Sequence, residues 1–128
     1  MITSLSIDLL IRIKNGYRAT RSNISAVNSK FCRNICDILK THKYIKNYSI
    51  SEDKKTLDIE LSYQNNFPAV TDVKIFSKPG RRFYSKHFSL PWGKTRESLI
   101  IISTSQGLLS QRSASSKKIG GEIIAEIF

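Results

Sequence analysis

The chain has 128 residues, 40% of them hydrophobic and 24% charged. That is the composition of a globular protein, and it excludes a disordered chain, a collagen and a coiled-coil rod. Lys and Arg number 21 against 10 Asp and Glu, so the formal charge is +11. A domain this small with that excess repels itself unless an anion neutralises it. Nucleic acid is the first candidate partner and an acidic membrane surface the second. No stretch approaches the ~18–20 apolar residues that cross a bilayer. Met1–Asp8 has neither a basic n-region nor a long apolar core, so it does not read as a secretory signal. No Arg-rich presequence precedes the first element; a protein working in an organelle would be made there or would have lost its leader. Cys32 and Cys36 cannot build a disulfide framework, which points to a reducing compartment.

The first helix is expected from the stripe of Ile7, Leu10, Ile11 and Lys14, widened by Leu9 and Ile13. Ser6 is its expected cap, Asp8 sits in its first turn, and Gly16 is its expected stop. Residues 17–28 read as a polar connection with one short extended piece. A second helix begins near Ser29, with Phe31, Ile35, Ile38, Leu39 and His42 at helical spacing. Residues 43–50 turn extended, Ser51–Lys55 is a polar turn, and Leu57, Ile59, Leu61 and Tyr63 alternate with polar residues, which predicts an antiparallel hairpin. A further strand is expected at Val70–Phe76. The first 76 residues thus read as two helices over a three-stranded sheet, an α+β layer.

Composition changes at Ser77, where a subdomain boundary is placed. Lys78-Pro79-Gly80-Arg81-Arg82 is a turn crowded with cations, followed by Phe83-Tyr84, Phe88 and Trp92. Leu99–Ile102 reads as a buried strand running into a small polar loop, Ser103–Gly107. Ser110–Lys118 fits a short helix ended by Gly120-Gly121. The last strand, Glu122–Phe128, is expected to carry Ile123 and Ile127 on one face and Ile124 and Phe128 on the other. The second subdomain, residues 77–128, is therefore smaller and mostly β.

Acids are missing from three long windows: between Asp8 and Asp37, between Asp72 and Glu97, and between Glu97 and Glu122. Either this is a solvated basic surface or it meets a continuous anion. Phosphate contacts would supply affinity and register without sequence specificity. Ser103, Thr104 and Ser105 offer hydroxyls suited to base edges and 2′-OH groups, with Gly107 allowing close approach. The plainer reading is a turn bonded to its own backbone. Tyr84 is either a stacking platform or a cover for the core. Catalytic signals are weak. Ser105, His87 and Asp72 have the residue types of a nucleophile triad, but no spacing supports one, and no phosphate-binding or nucleophile-elbow motif is present. Cys32 and Cys36 are too few for a structural zinc site and read as small core residues.

Ile102-Ser103-Thr104-Ser105-Gln106-Gly107 followed by Ile119-Gly120-Gly121-Glu122-Ile123-Ile124 resembles the C-terminal signature of the family of the eighth protein of the small ribosomal subunit. Asp8–Gly16 resembles that family's opening helix, Ser29-Lys30-Phe31 the start of its second, Ser77–Tyr84 its connecting loop and Leu90-Pro91 its next marker. The resemblance covers essentially the whole chain. It implies an N-terminal α+β subdomain and a C-terminal, mostly β, RNA-binding subdomain. It also implies binding to the central domain of small-subunit rRNA, help in assembling that domain, and contact with neighbouring small-subunit ribosomal proteins. Carried over by position, the RNA-binding residues are Lys30, Lys78, Arg81, Arg82, Tyr84, Ser103, Thr104, Ser105, Gly107, Gly121 and Glu122. The expected protein is not an enzyme and takes no cofactor, metal, membrane or small-molecule substrate; a free RNA-binding translational regulator is the alternative. Departures from the family's pattern, heavy use of Ile and Ser and bacterial-type blocks point to an organellar ribosome, the mitochondrion ahead of the plastid, with bacterial cytoplasm as a further alternative.

Overall fold

The computed structural model describes residues 4–78, 80–87, 90 and 98–128. Pro79, Phe88, Pro91, Trp92 and the basic stretch from Lys94 to Glu97 lie outside the described residues. The chain is mixed α+β and divides into two compact units, Leu5–Thr71 and Asp72–Phe128, the latter grouped with Ser4.

The first unit opens with α1, Ser4–Arg18, which buries Leu9, Leu10, Ile13 and Tyr17. Ser6 is not its cap but a fully buried residue within it, and Asp8 pairs with Arg12 one turn on, Oδ2 to Nε 2.7 Å. Nor does Gly16 stop the helix. A Cβ there would stand 2.6 Å from Ile24 Cγ2, so the glycine serves close packing. The helix ends later, where the Thr20 N–H donates to Tyr17 O and the Arg21 N–H to Gly16 O, with Thr20 left-handed at φ 56°. The expected extended piece is β1, Asn23–Val27. Next comes α2, Lys30–Thr41, capped by the Ser29 hydroxyl, which accepts from the Cys32 N–H at 3.1 Å. Its buried face is Cys32, Ile35, Cys36 and Leu39, while His42 is exposed. The strands β2, Ile45–Ile50, and β3, Thr56–Leu61, form the expected hairpin, and the sheet order is β1-β3-β2, all antiparallel. Leu57, Ile59 and Leu61 face inward as their alternation requires. A small hairpin follows, β4, Tyr63–Gln64, and β5, Phe67–Pro68. Its turn residues Asn65 and Asn66 are both left-handed, at φ 52° and 67°.

The strand expected at Val70–Phe76 is shorter, β6, Val73–Ile75, and it pairs with the C-terminal strand rather than with β3. Asp72 and Phe128 exchange both backbone hydrogen bonds, which ties this segment to the second unit. The third strand of the first sheet is β1, from the polar connection, and the division between units falls at 71/72 instead of near 77. Alternation marks a half-buried strand but is silent on which sheet takes it.

The second unit adds β7, Tyr84–Ser85, β8, Leu99–Thr104, β9, Gly107–Ser110, α3, Gln111–Ser116, and β10, Gly121–Ile127. The sheet order is β6-β10-β8-β9, with β7 also on β10. A central strand loses its alternation because both faces are covered, and β10 is buried from Glu122 to Ile127. A bulge between Ile123 and Ala125 separates the expected pair: Ile123 lies opposite Ile102, and Ile127 opposite Leu99, so the two face opposite sides. Ile100, Ile102, Ala114 and Ile123 make one core cluster under α3, with Phe76, Leu90 and Leu109 packed on it. The helix α3 ends before Gly120, at Lys117 and the left-handed Lys118, φ 56°.

Candidate nucleic-acid interface

Three of the expected site residues meet in one row. On β10, Glu122 is the direct cross-strand partner of Tyr84 on β7 and of Ser103 on β8, and Ser103 in turn faces Leu108 on β9. Directly paired residues of antiparallel strands project from the same face. Tyr84 is 70% exposed, so its ring is open for stacking rather than covering the core.

The two glycines that precede the row make it possible. A Cβ on Gly121 would lie 2.1 Å from the Ser103 carbonyl oxygen, and one on Gly120 would lie 2.3 Å from that of Ser85. Both obstacles are backbone, which cannot swing away. The pair is therefore a close-approach device and not a helix stop. Tyr84, Ser85, Lys86, His87, Gly120 and Gly121 line an open concavity of about 670 Å³ beside the row.

The expected polar loop at 103–107 is mostly strand. Ser103 and Thr104 belong to β8, Gly107 opens β9, and only Ser105 and Gln106 form the turn, with Gly107 at φ 98°. The Thr104 hydroxyl donates to Gly107 O at 2.8 Å and accepts from the Gln106 N–H at 3.1 Å. The self-bonded turn is thus what Thr104 makes. Ser105 stands exposed at the tip.

The cations divide. Lys78 and Arg81 are exposed and close the tight loop between them through reciprocal backbone hydrogen bonds, 2.8 and 2.9 Å. The Arg81 guanidinium lies 5.3 Å from the Phe83 ring centroid. Arg82 instead turns inward and pairs with Glu122, Nη1 to Oε2 3.2 Å. Lys30 is exposed at the start of α2, in the other unit. The Glu122 carboxylate, nearly fully buried, is thus engaged by an arginine from within the same unit.

Sequence reasoning missed two positioning residues. Ser77 is fully buried; its hydroxyl donates to Ile123 O at 2.6 Å and accepts from the Phe83 N–H at 3.0 Å, where the bulge leaves backbone groups to satisfy. Gln111, 5% exposed, clamps the start of β8: its Oε1 accepts from the Ile100 N–H and its Nε2 donates to Ser98 O, both at 2.8 Å. A buried Ser and a buried Gln look like any polar residues in sequence; only an accounting of backbone groups finds them.

Burial pushes the Cys36 thiol up to about 12, with Cys32 and Asp37 nearby adding to the effect. Among the described residues no three His, Cys, Asp or Glu side chains converge on a metal site. Asp72, one member of the conceivable triad, accepts from the Val73 N–H at 2.8 Å. No described helix is long and apolar enough to cross a membrane.

Residues 5–128 match the family model described as Ribosomal protein S8. A small ribosomal subunit protein uS8 of Malacoplasma penetrans is 39% identical over 124 residues, which is 94% of this chain and 95% of that one. The protein of the same name from Corynebacterium glutamicum is 40% identical, over 94% of each chain. The one from Erythrobacter litoralis is 38% identical, again over 94% of each.

Proposed function

The chain belongs to the ribosomal protein S8 family, and on that premise we propose that it is a structural component of the small ribosomal subunit, without catalytic activity. In this reading it binds the central domain of small-subunit rRNA, supports the assembly of that domain and contacts neighbouring ribosomal proteins. The observation that carries the RNA-binding part is the row Tyr84–Glu122–Ser103, in which Tyr84 is open to solvent, Ser103 is half-buried and Glu122 is buried, with Lys78 and Arg81 exposed on the preceding loop. An open aromatic ring, hydroxyls at a hairpin end and nearby cations are what unstacked bases, 2′-OH groups and phosphates respectively require. Lys78, Arg81 and Lys30 would hold phosphate, Tyr84 would stack, and Ser103 and Ser105 would read hydrogen-bonding edges. Thr104, Gly107 and Gly121 would shape the surface that does so.

The relatives named above are bacterial, which supports a bacterial-type ribosome in a bacterial cytoplasm. The mitochondrial placement rests on Ile and Ser usage and departures from the family's pattern, and none of the relatives named above supports it. Sedimentation of native extract at moderate salt tests the ribosomal role. Stable comigration with small subunits is the expected result, and a pool that stays at the top of the gradient would support a free regulator instead.

A further inference from the structure

Arg82 and Glu122 make an ion pair inside the proposed interface, with side chains 22% and 5% exposed. So little of Glu122 reaches the surface that it has almost nothing to offer RNA, and a bare carboxylate there would repel phosphate. Paired, the two charges cancel, so they add nothing to the counterion release that drives phosphate binding. What the pair does touch is the centre of the row, because residue 122 is the cross-strand partner of both Tyr84 and Ser103. Its register is locked from the adjacent positions. The Ile123 N–H donates to Phe83 O at 2.8 Å, and the Ser77 hydroxyl joins the Phe83 N–H to Ile123 O. In this antiparallel register Glu122 faces Tyr84, and Arg82, two residues before Tyr84 and so on the same face, reaches Glu122 as its diagonal neighbour.

Resting on the RNA-binding reading above, we infer that Arg82 and Glu122 form a neutral strut beneath the interface. They are positioning residues that hold Tyr84 and Ser103 in place for RNA; neither is a phosphate ligand or a base reader. This separates Arg82 from its exposed neighbour Arg81, although both lie in one acid-free window of the sequence. The physical reason is the asymmetry of buried charge: removing one partner leaves the other uncompensated. The stranded carboxylate draws in water or swings outward, and the backbone that presents Tyr84 and Ser103 shifts with it.

The test uses the full chain and a transcript of the central domain of a bacterial small-subunit rRNA, against the same nucleotides in scrambled order, over a salt series. Arg81→Ala is expected to weaken binding to both RNAs equally and to make the log K against log salt slope shallower by about 1. Arg82→Gln is expected to lose about tenfold on the central-domain transcript only, with the slope unchanged. Arg82→Lys, which keeps a cation beside Glu122, should recover most of that loss. The double variant Arg82→Gln/Glu122→Gln replaces the ion pair by a neutral hydrogen-bonded one and keeps the test alive if the single variant does not fold; its slope should match the wild type. A slope shallower by about 1 in either Arg82 variant, with equal losses on both RNAs, makes Arg82 a phosphate ligand and overturns the inference. An Arg82→Gln variant that binds both RNAs like the wild type overturns it too. Failure of the underlying reading looks different: the wild type itself would not distinguish the two RNAs.

Discussion

The Thr104 hydroxyl is engaged twice within its own hairpin, while Ser105, one residue on, projects from the tip. The two therefore answer to different measurements. Thr104→Val removes both hydrogen bonds at nearly constant shape, and each is worth about 0.5–1.5 kcal/mol. It should lower the melting temperature and weaken RNA binding together, because the turn itself loosens. Ser105→Ala should leave the melting temperature where it is and cost about tenfold in affinity for cognate rRNA, or ~1.4 kcal/mol. Its salt slope should not move, since no phosphate contact is lost. Equal losses on cognate and unrelated RNA would remove Ser105 from specific recognition. Tyr17 supplies a pH dependence. Its hydroxyl donates to Tyr44 O and accepts from the Ser62 N–H, and burial pushes its pKa from 10.0 up to about 12. The folded state thus holds the phenol proton more tightly than the unfolded chain. The stability that depends on it is complete below pH 10 and is lost as pH rises through about 12. An alkaline unfolding series should show this decline in the wild type, and Tyr17→Phe should flatten it.

Turns and helix ends carry most of what the sequence hid. Gly16 has the look of a helix stop, yet the helix passes through it to Arg18 and is closed off by Thr20, a β-branched residue held left-handed at φ 56°. That conformation is costly for any residue with a branched Cβ. Thr20→Gly should therefore raise stability by about 0.5–1 kcal/mol, net of glycine's own entropy. That corresponds to a rise of about 2–5 °C in Tm, measurable by thermal melts. No gain would mean that the Thr20 side chain makes compensating contacts. The legible elements were those with strong periodicity: α2 from its Ser29 cap, the β2–β3 hairpin from strict alternation, and β8 from four consecutive apolar residues. Less legible were β1, whose Asn23 and Ser25 disguise a sheet edge, and β6, whose partner lies at the far end of the chain. Sequence distance says nothing about strand pairing, so the boundary near 77 moved to 71/72. The bulge on β10 was equally hidden, because Ile123, Ile124 and Ala125 fit either register until Ser77 is seen bonding to the bulged backbone.

The charge of +11 shapes the behaviour of the whole chain, but it does not mark which cations meet an anion. Arg12 is tied to Asp8 and Arg82 to Glu122, so two cations inside the acid-free windows are neutralised within the fold. The signature residues told more than the charge count. Tyr84, Ser103 and Glu122 are separated by long stretches of sequence, yet β10 sets all three in one row. Their types were readable in advance; the inward turn of Arg82 and the near-complete burial of Glu122 were not, since both depend on strand register. On the function proposed above, the chain combines sequence-independent attraction with selective recognition of small-subunit rRNA. The most direct measurement is the affinity of the wild-type chain for a central-domain rRNA transcript and for its scrambled counterpart, from low to moderate salt. Both affinities should fall steeply with salt. The preference for the central-domain transcript should persist at about tenfold or more at moderate salt, where phosphate attraction is screened. Two curves that coincide at every salt concentration would contradict the account.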